Sequence, residues 1–437
     1  MPRTASDGLH LNPLIHGVYN AIFTLSWPAF LLYYTLRART DGKYRGSYRS
    51  RLGLDMPRRP STASRVCWIH ALSVGETISV FPLVKALKER YPEREIVFST
   101  STETGLAIAR KQLAPWVGEE FFTLPHDFPQ VMDALVRRLH PDLFILVETD
   151  IWPNLVHSLK RRGVPVVLVN GRLSRKSFGR LVLLRSLLKP VFRGLNLVFA
   201  QSADDKARYE ALGAPAERAH ALGNLKFDAA PDRVSREKIL SLRQATGIEE
   251  GRPVWIAGST HEGEEDILLR VHHVLRRDYP DILLILAPRN SRRAVDIASL
   301  CHRHGFSTAF RSTAESAKGK AVYLLDTLGE LSSFYALADA AFIGGSLVPF
   351  GGHNPLEAVA QGKSAVWGPH LSNFREIEES LLQAGCGSRV SSEEELPGTL
   401  NQWLRNATLR HHQENAAWNF MTSHSGLARK IAEAIEW

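Results

Sequence analysis

Residues 340–363 read AAFIGGSLVPFGGHNPLEAVAQGK. The apolar run Ala340–Ile343 is short and ends in glycine, which fits a buried strand better than a helix. Four glycines follow, Gly344, Gly345, Gly351 and Gly352, and then Asn354-Pro355 opens a helical pattern. Strand, glycine-rich turn and helix start are the parts of a ligand-binding loop in an open parallel sheet. Glycines let the backbone approach a ligand closely, and the first N–H groups of a helix suit a phosphate. Pro355 fits the first helical position. Asn354 and Glu357 also have the spacing of a capping pair. Capping accounts for those two residues and leaves the four glycines, so the turn is read as a nucleotide site with the cap as a simultaneous role. Glu357 would then accept hydrogen bonds from ribose hydroxyls.

The same alternation extends in both directions. Short apolar runs at Val66–His70, Ile96–Thr100, Leu143–Val147, Val166–Val169 and Leu197–Ala200 are separated by helical stretches such as Ser79–Arg90, Gln130–Leu139 and Leu155–Arg161. A polar stretch, Asp228–Lys238, reads as an interdomain linker. A second series follows at Val254–Ala257, Ile282–Ala287, Ala321–Leu325, Ala340–Ile343 and Ala365–Trp367. Buried strands alternating with helices predict an α/β chain with two Rossmann-like, doubly wound domains facing a cleft. The expected division is an N-terminal segment over 1–40, a first domain over 41–230 and a second over 231–437. The helical tail from about Leu400 could pack back on the first domain. A length of 437 residues suits two cores. With 44% apolar and 23% charged residues, long disorder is excluded. Cys67, Cys301 and Cys386 have no ligand or disulfide spacing, which argues against a disulfide framework and a structural zinc site.

The net charge of +9 is concentrated near the N-terminus. Residues 14–36 form a 23-residue stretch without Lys, Arg, Asp or Glu, long enough to cross a bilayer as a helix. His16, Asn20 and Pro28 weaken that signal. Nine Lys/Arg follow between Arg37 and Arg65 against Asp41 and Asp55. The expectation is an uncleaved N-terminal anchor, with a helix lying in the membrane interface as the alternative. The charge asymmetry places the following domains on the cytoplasmic side. A basic run beside such a segment points to anionic lipids rather than to nucleic acid.

Other strand ends carry chemistry. Gly258-Ser259-Thr260 and His261-Glu262 follow one run, and Pro288-Arg289-Asn290 follows another. Arg289 there suits a phosphate or a carboxylate. Asp326–Glu330, with Leu328 and Gly329, follows a third. In the first domain Ser73 and Glu76 match a capping box. Glu76 nevertheless stands where a carboxylate could take a proton from an acceptor hydroxyl. The helix dipole would weaken it as a base and burial would strengthen it. Glu148 ends the Leu143–Val147 run beside Asp150, and a carboxylate so close to an apolar strand usually has a partner or a role. Lys226, in Gly223–Asp228, lies just before the linker.

Taken together, HALSVGETISVFPLVKAL (70–87), LVETDIWPNL (146–155), GNLKFD (223–228), STHEGEE (259–265), APR (287–289), DTLGEL (326–331), GGSLVPFGGHNPLEA (344–358) and WGPH (367–370) resemble the 3-deoxy-D-manno-octulosonic acid (Kdo) transferases of lipopolysaccharide synthesis. The resemblance covers nearly the whole chain. It implies a GT-B fold and inverting transfer of Kdo from CMP-Kdo to the lipid A precursor, with no cofactor and no catalytic metal. It further implies Glu76 as general base, with Glu148 and Lys226 stabilising the transition state. CMP contacts would come from Pro288 and Arg289, from Leu328, Gly329 and Glu330, and from Asn354, Pro355, Leu356 and Glu357. One departure is Asp150, where the commoner form has Glu. Two rival readings remain. One is another GT-B enzyme, such as an N-acetylglucosaminyltransferase or an epimerase. The other is a non-catalytic membrane-docking protein.

Overall fold

A computed structural model describes residues 13–40, 48–60, 65–118, 120–148 and 151–437. Asp150 and the parts of the basic flank at 41–47 and 61–64 lie outside the described residues. The chain forms two compact units: the residues up to Ala229 together with Gly426–Trp437, and Ala230–Ser425.

The first unit is built on β1 Val66–Ala71, β2 Glu95–Thr100, β3 Phe121–Thr123, β4 Leu143–Val147, β5 Val166–Gly171, β6 Leu197–Ala200 and β7 Ala219–Ala221. All pair in parallel, in the order β3-β2-β1-β4-β5-β6-β7. The central strands are apolar on both faces because helices cover both. Trp68, Phe144 and Leu146 pack into one core, and Cys67, Ile69, Ile145 and Val147 into the other. The C-terminal helix Leu427–Ala434 belongs to this unit and packs on the Val74–Arg90 helix. Asp228 holds its start, accepting from the Gly426 N–H at 2.7 Å and from the Ala428 N–H.

The second unit has β8 Val254–Thr260, β9 Leu283–Pro288, β10 Thr308–Phe310, β11 Val322–Leu324, β12 Ala340–Ile343, β13 Ala365–Trp367 and β14 Gly387–Arg389. This sheet too is parallel, in the order β10-β11-β9-β8-β12-β13-β14. Strand order reverses between β1 and β4 in one sheet and between β8 and β12 in the other. Loops leaving the carboxyl ends of such neighbours diverge and open a crevice. The expected apolar runs all form strands. Four further strands, β3, β7, β10 and β14, are three residues each and lie at or beside the sheet edges, too short for periodicity to reveal.

The N-terminal expectation needs correction. A helix does form, Pro13–Thr40, with Pro28 inside it. Among the described residues, however, no helix is long and apolar enough to cross a membrane. Polar residues within the helix are also committed to the first unit. His16 Nε2 lies 2.8 Å from Asn154 Oδ1, and Tyr19 donates its hydroxyl to Asp127 Oδ2 at 2.9 Å. Phe23, Trp27 and Phe30 set their rings around Phe128. The opposite side exposes Val18, Ile22, Leu25, Leu32 and Leu36, with Leu25 80% exposed. The described part of the basic flank is also used internally. Arg49 pairs with Asp55, while Arg51 and Arg59 donate to the carbonyls of Ser101 and His140.

Asp127 is the centre of that contact. It is 0% exposed and accepts the Asn154 and Leu155 N–H groups at 2.9 and 3.0 Å, capping the Pro153–Arg161 helix. Asp127→Ala leaves those donors buried without an acceptor and is expected to cost about 2 kcal/mol. Tyr19→Phe removes one bond and should cost about half as much. Calorimetry checks both: each kcal/mol corresponds to roughly 2–4 °C in the melting of a unit this size.

Candidate active site

In the second unit the reversal between β8 and β12 is organised by a carboxylate that the sequence reading passed over. Glu264 is 0% exposed at the start of the Glu264–Asp278 helix. Its oxygens accept the N–H groups of His261 (2.9 Å), Gly345 (2.6 Å), Ser346 (2.9 Å) and Leu347 (2.9 Å). A buried carboxylate is tolerable only with such partners. The STHEGEE motif held its signal, a Glu beside a strand end. Gly344 is required by this closeness, because a Cβ there would sit 2.4 Å from the Ser259 carbonyl oxygen.

The arrangement changes the expected phosphate cradle. Glu264 consumes the N–H groups of residues 345–347. Gly352 and His353 donate to the carbonyls of Gly345 and Gly344 at 2.8 and 3.2 Å. Among the described residues, the N–H groups of Gly351 and Asn354 have no protein acceptor. The helix that follows is a single turn, Leu356–Val359, with Pro355 at its cap, so its dipole is small. Asn354 Oδ1 accepts from the Leu356 N–H at 3.1 Å, which is half of the expected capping pair. Glu357 instead lies near Tyr335 and Arg289. Burial pushes its carboxyl above the usual range, and Arg289 pulls against that shift.

Pro288 ends β9, and the Arg289 N–H donates to the Thr260 carbonyl at 3.0 Å, tying two loops together while its side chain reaches solvent. Beyond β11, Leu328 is 81% exposed and Gly329 has φ +85°. The Glu330 carboxylate is taken up by the Arg311 fork, at 3.1 and 2.7 Å, and by the Thr327 hydroxyl. Arg311 thereby holds its pKa below the ordinary value. What this segment can offer a ligand is therefore its backbone and Leu328.

In the first unit the reversal between β1 and β4 carries Glu76 and Glu148, which follow those two paired strands. The capping box at Ser73 and Glu76 forms. Glu76 N–H donates to Ser73 Oγ at 3.3 Å, and Glu76 accepts from the Leu72 N–H at 2.6 Å and the Ser73 hydroxyl at 3.1 Å. Glu76 is thus oriented by its cap, and its carboxylate has capacity for further donors. Glu148 stands at φ +60° and donates its N–H to Val169 at 2.9 Å. A left-handed non-glycine residue costs on the order of 1 kcal/mol and gathers at functional sites. Asn170, at φ +55°, is a second such residue one strand over. Its Oδ1 accepts the Leu225 N–H at 2.9 Å, and Asn224 Oδ1 accepts the Lys226 N–H at 3.0 Å. Asn170 therefore braces the turn that presents Lys226; an asparagine inside the run VVLVNG was the available signal.

The family described as 3-deoxy-D-manno-octulosonic-acid transferase (kdotransferase) matches residues 46–229. A 3-deoxy-D-manno-octulosonic acid transferase of Haemophilus influenzae is 33% identical over 422 residues, covering 96% of this chain and 97% of its own. One from Bordetella pertussis is 32% identical over 429 residues, covering 96% and 98%. The chain belongs to the Kdo transferase family. It is a glycosyltransferase, and Kdo is the sugar it moves. A UDP-GlcNAc 2-epimerase from Neisseria meningitidis, solved with UDP-GlcNAc, aligns with a TM-score of 0.55 over 84% of this chain and 98% of its own. At 12% identity that likeness concerns the fold alone, which is of the GT-B kind.

Glu264→Gln keeps the shape at the β8–β12 reversal but turns an amide NH₂ toward backbone N–H groups. The enzyme is expected to stay folded but to lose about 1–3 kcal/mol of stability, because at least one buried N–H group loses its acceptor. Scanning calorimetry measures the loss.

Proposed function

We propose that this enzyme transfers Kdo from CMP-Kdo to the lipid A precursor (lipid IVA) in lipopolysaccharide synthesis, inverting the anomeric centre without a catalytic metal. The observation that carries this reading is Glu76 in the first turn of the helix after β1, with Glu148 directly after the paired strand β4. The acceptor hydroxyl gives its proton to the Glu76 carboxylate as its oxygen bonds to the anomeric carbon of Kdo. The bond from that carbon to the phosphate oxygen breaks, and CMP leaves as a phosphate monoester. Lys226 pairs with the Kdo carboxylate or with developing negative charge. Arg289 and the free N–H groups of Gly351 and Asn354 meet the single phosphate, a charge that a cation and oriented dipoles can stabilise. Glu357 receives the ribose hydroxyls, and the backbone at Leu328–Gly329 borders the nucleotide.

The lipid acceptor requires work at the inner-membrane surface, with the catalytic units on its cytoplasmic side. The outward stripe of the Pro13–Thr40 helix supports a helix lying in the interface. A second exposed apolar tip, Val182, Leu183 and Leu184, precedes the Arg185–Arg193 helix, which contacts the Pro13–Thr40 helix; Leu183 is 84% exposed. Arg175, Lys176, Arg180 and Arg185 flank that tip and suit anionic head groups. The fold of epimerases gives the rival reading its substance, and the nucleotide separates the two. CMP is expected to raise the melting temperature where UDP does not.

Glu76→Gln keeps a carbonyl oxygen for the cap but cannot take a proton. Turnover should fall on the order of 10²–10⁴-fold with CMP binding retained. Mass spectrometry of the lipid A precursor incubated with CMP-Kdo counts the sugars added; normal transfer by this variant removes Glu76 from the base role. For the membrane contact, Leu25→Asp with Leu183→Asp should reduce co-sedimentation with anionic phospholipid vesicles about tenfold or more. Unchanged sedimentation would rule this face out.

A further inference from the structure

His261 and His353 meet where the loops after β8 and β12 converge, and the catalytic scheme above uses neither. Their Nε2 atoms are 2.7 Å apart and their rings are nearly coplanar in orientation, 3° apart with centroids at 5.0 Å. Phe350 stacks on His261 at 3.7 Å, closing one side. Two ring nitrogens at this separation must share one hydrogen, one donating and the other accepting. The bridge can therefore carry no net charge or one positive charge. A second added proton would set two N–H groups against each other and break it.

The surrounding charges decide which state is held. Glu264 and Glu265 face the pair from the start of the Glu264–Asp278 helix, and Arg289 and Arg293 from the end of β9. Glu264 is spent on backbone N–H groups, and Glu265 is paired with Arg293 at 2.9 Å. Arg289 remains as the cation that opposes charging of His353. Glu357 lies on the single helical turn that follows His353, its own proton affinity raised by burial. Burial first, and Arg289 second, hold His353 down at about 4, and burial lowers His261 as well. The bridge is neutral near pH 7 while no anion is present.

We propose that the His261–His353 bridge is a further contact for the donor phosphate: an anion beside Arg289 draws one solvent proton onto the bridge, which then faces the phosphate as an imidazolium hydrogen-bonded to an imidazole. The inference rests on the donor-site reading given above. An anion there neutralises the charge that disfavoured protonation and supplies an opposite one. Cleavage of the sugar–phosphate bond converts a diester monoanion into a monoester with a further ionisable oxygen. A cation placed there in advance stabilises the charge as it develops. The proton enters with the nucleotide and returns to solvent when CMP leaves.

Calorimetric titration of the full-length enzyme with CMP at pH 7.0, in two buffers of different ionisation enthalpy, counts protons taken up on binding. The phosphate ionisation of CMP itself is common to all variants and cancels in the difference. Wild type is expected to take up about half a proton or more beyond His353→Gln, and likewise beyond His261→Gln. Within wild type, CMP should give uptake and cytidine, which has no phosphate, should give none; the difference from the variants then assigns that uptake to the bridge rather than to the phosphate of CMP. CMP binding with equal proton counts in wild type and variants, or with no uptake in wild type, overturns the role of the bridge. Failure of wild type to bind CMP at all would instead overturn the donor site.

Discussion

Four backbone N–H groups converging on one buried carboxylate, Glu264, set the geometry of the second unit's binding loops. Such a charge is stable in the interior only while its donors stay in place, and so the donors cannot move. Gly345, Ser346 and Leu347 are held against the Glu264–Asp278 helix, and Gly344 lies against the Ser259 carbonyl. The returning strand of the loop is then tied to the fixed part, through Gly352 to Gly345 and His353 to Gly344. The segment proposed to meet the donor phosphate, Gly351 to Glu357, is thereby presented from a rigid base. Arg289 joins through the Thr260 carbonyl. The glycines serve close backbone packing first, and only some of their N–H groups remain for a phosphate.

The first unit uses the same device in another place. Asp127, equally buried, receives the N–H groups at the start of the Pro153–Arg161 helix and the hydroxyl of Tyr19. In both units a carboxylate inside the protein fixes a loop beside a strand-order reversal, while a different carboxylate nearby is the one to which the proposed function gives a role. Glu76 and Glu357 are of that second kind. Their environments differ: Glu76 receives the donors of its own cap, whereas Glu357 is desolvated and has Arg289 as its nearby cation.

Central strands were legible because they are apolar on both faces; β1, β4, β8, β9 and β12 all appear as unbroken runs. The short edge strands were not, since Gly387–Arg389 or Ala219–Ala221 owe their conformation to a neighbour rather than to their own pattern. Motif residues fell at strand ends as expected. The roles of their donors did not follow from spacing. Nothing in a local window says that Glu264 claims N–H groups 81 to 83 positions away. Nor does it say that Arg311 occupies Glu330, or that Asn170 builds the Lys226 turn. These are long-range hydrogen bonds, and they exist only once the sheet order brings the loops together.

The N-terminal helix shows how such bonds change the meaning of composition. Counted along the chain, residues 14–36 are uncharged and long enough to span a bilayer. Counted around the helix, one side is committed to Asn154, Asp127 and Phe128, and only the other is apolar and exposed. A spanning position would strip Tyr19 and His16 of these partners and place polar groups in hydrocarbon. The flat position proposed above would keep every bond and offer the stripe of Val18, Ile22, Leu25 and Leu32 to lipid. Asp127 thus links the helix that would meet the membrane to Asn154, in the segment that follows Glu148. The N-terminal helix is therefore joined to that segment through hydrogen bonds to one buried carboxylate, not by a tether.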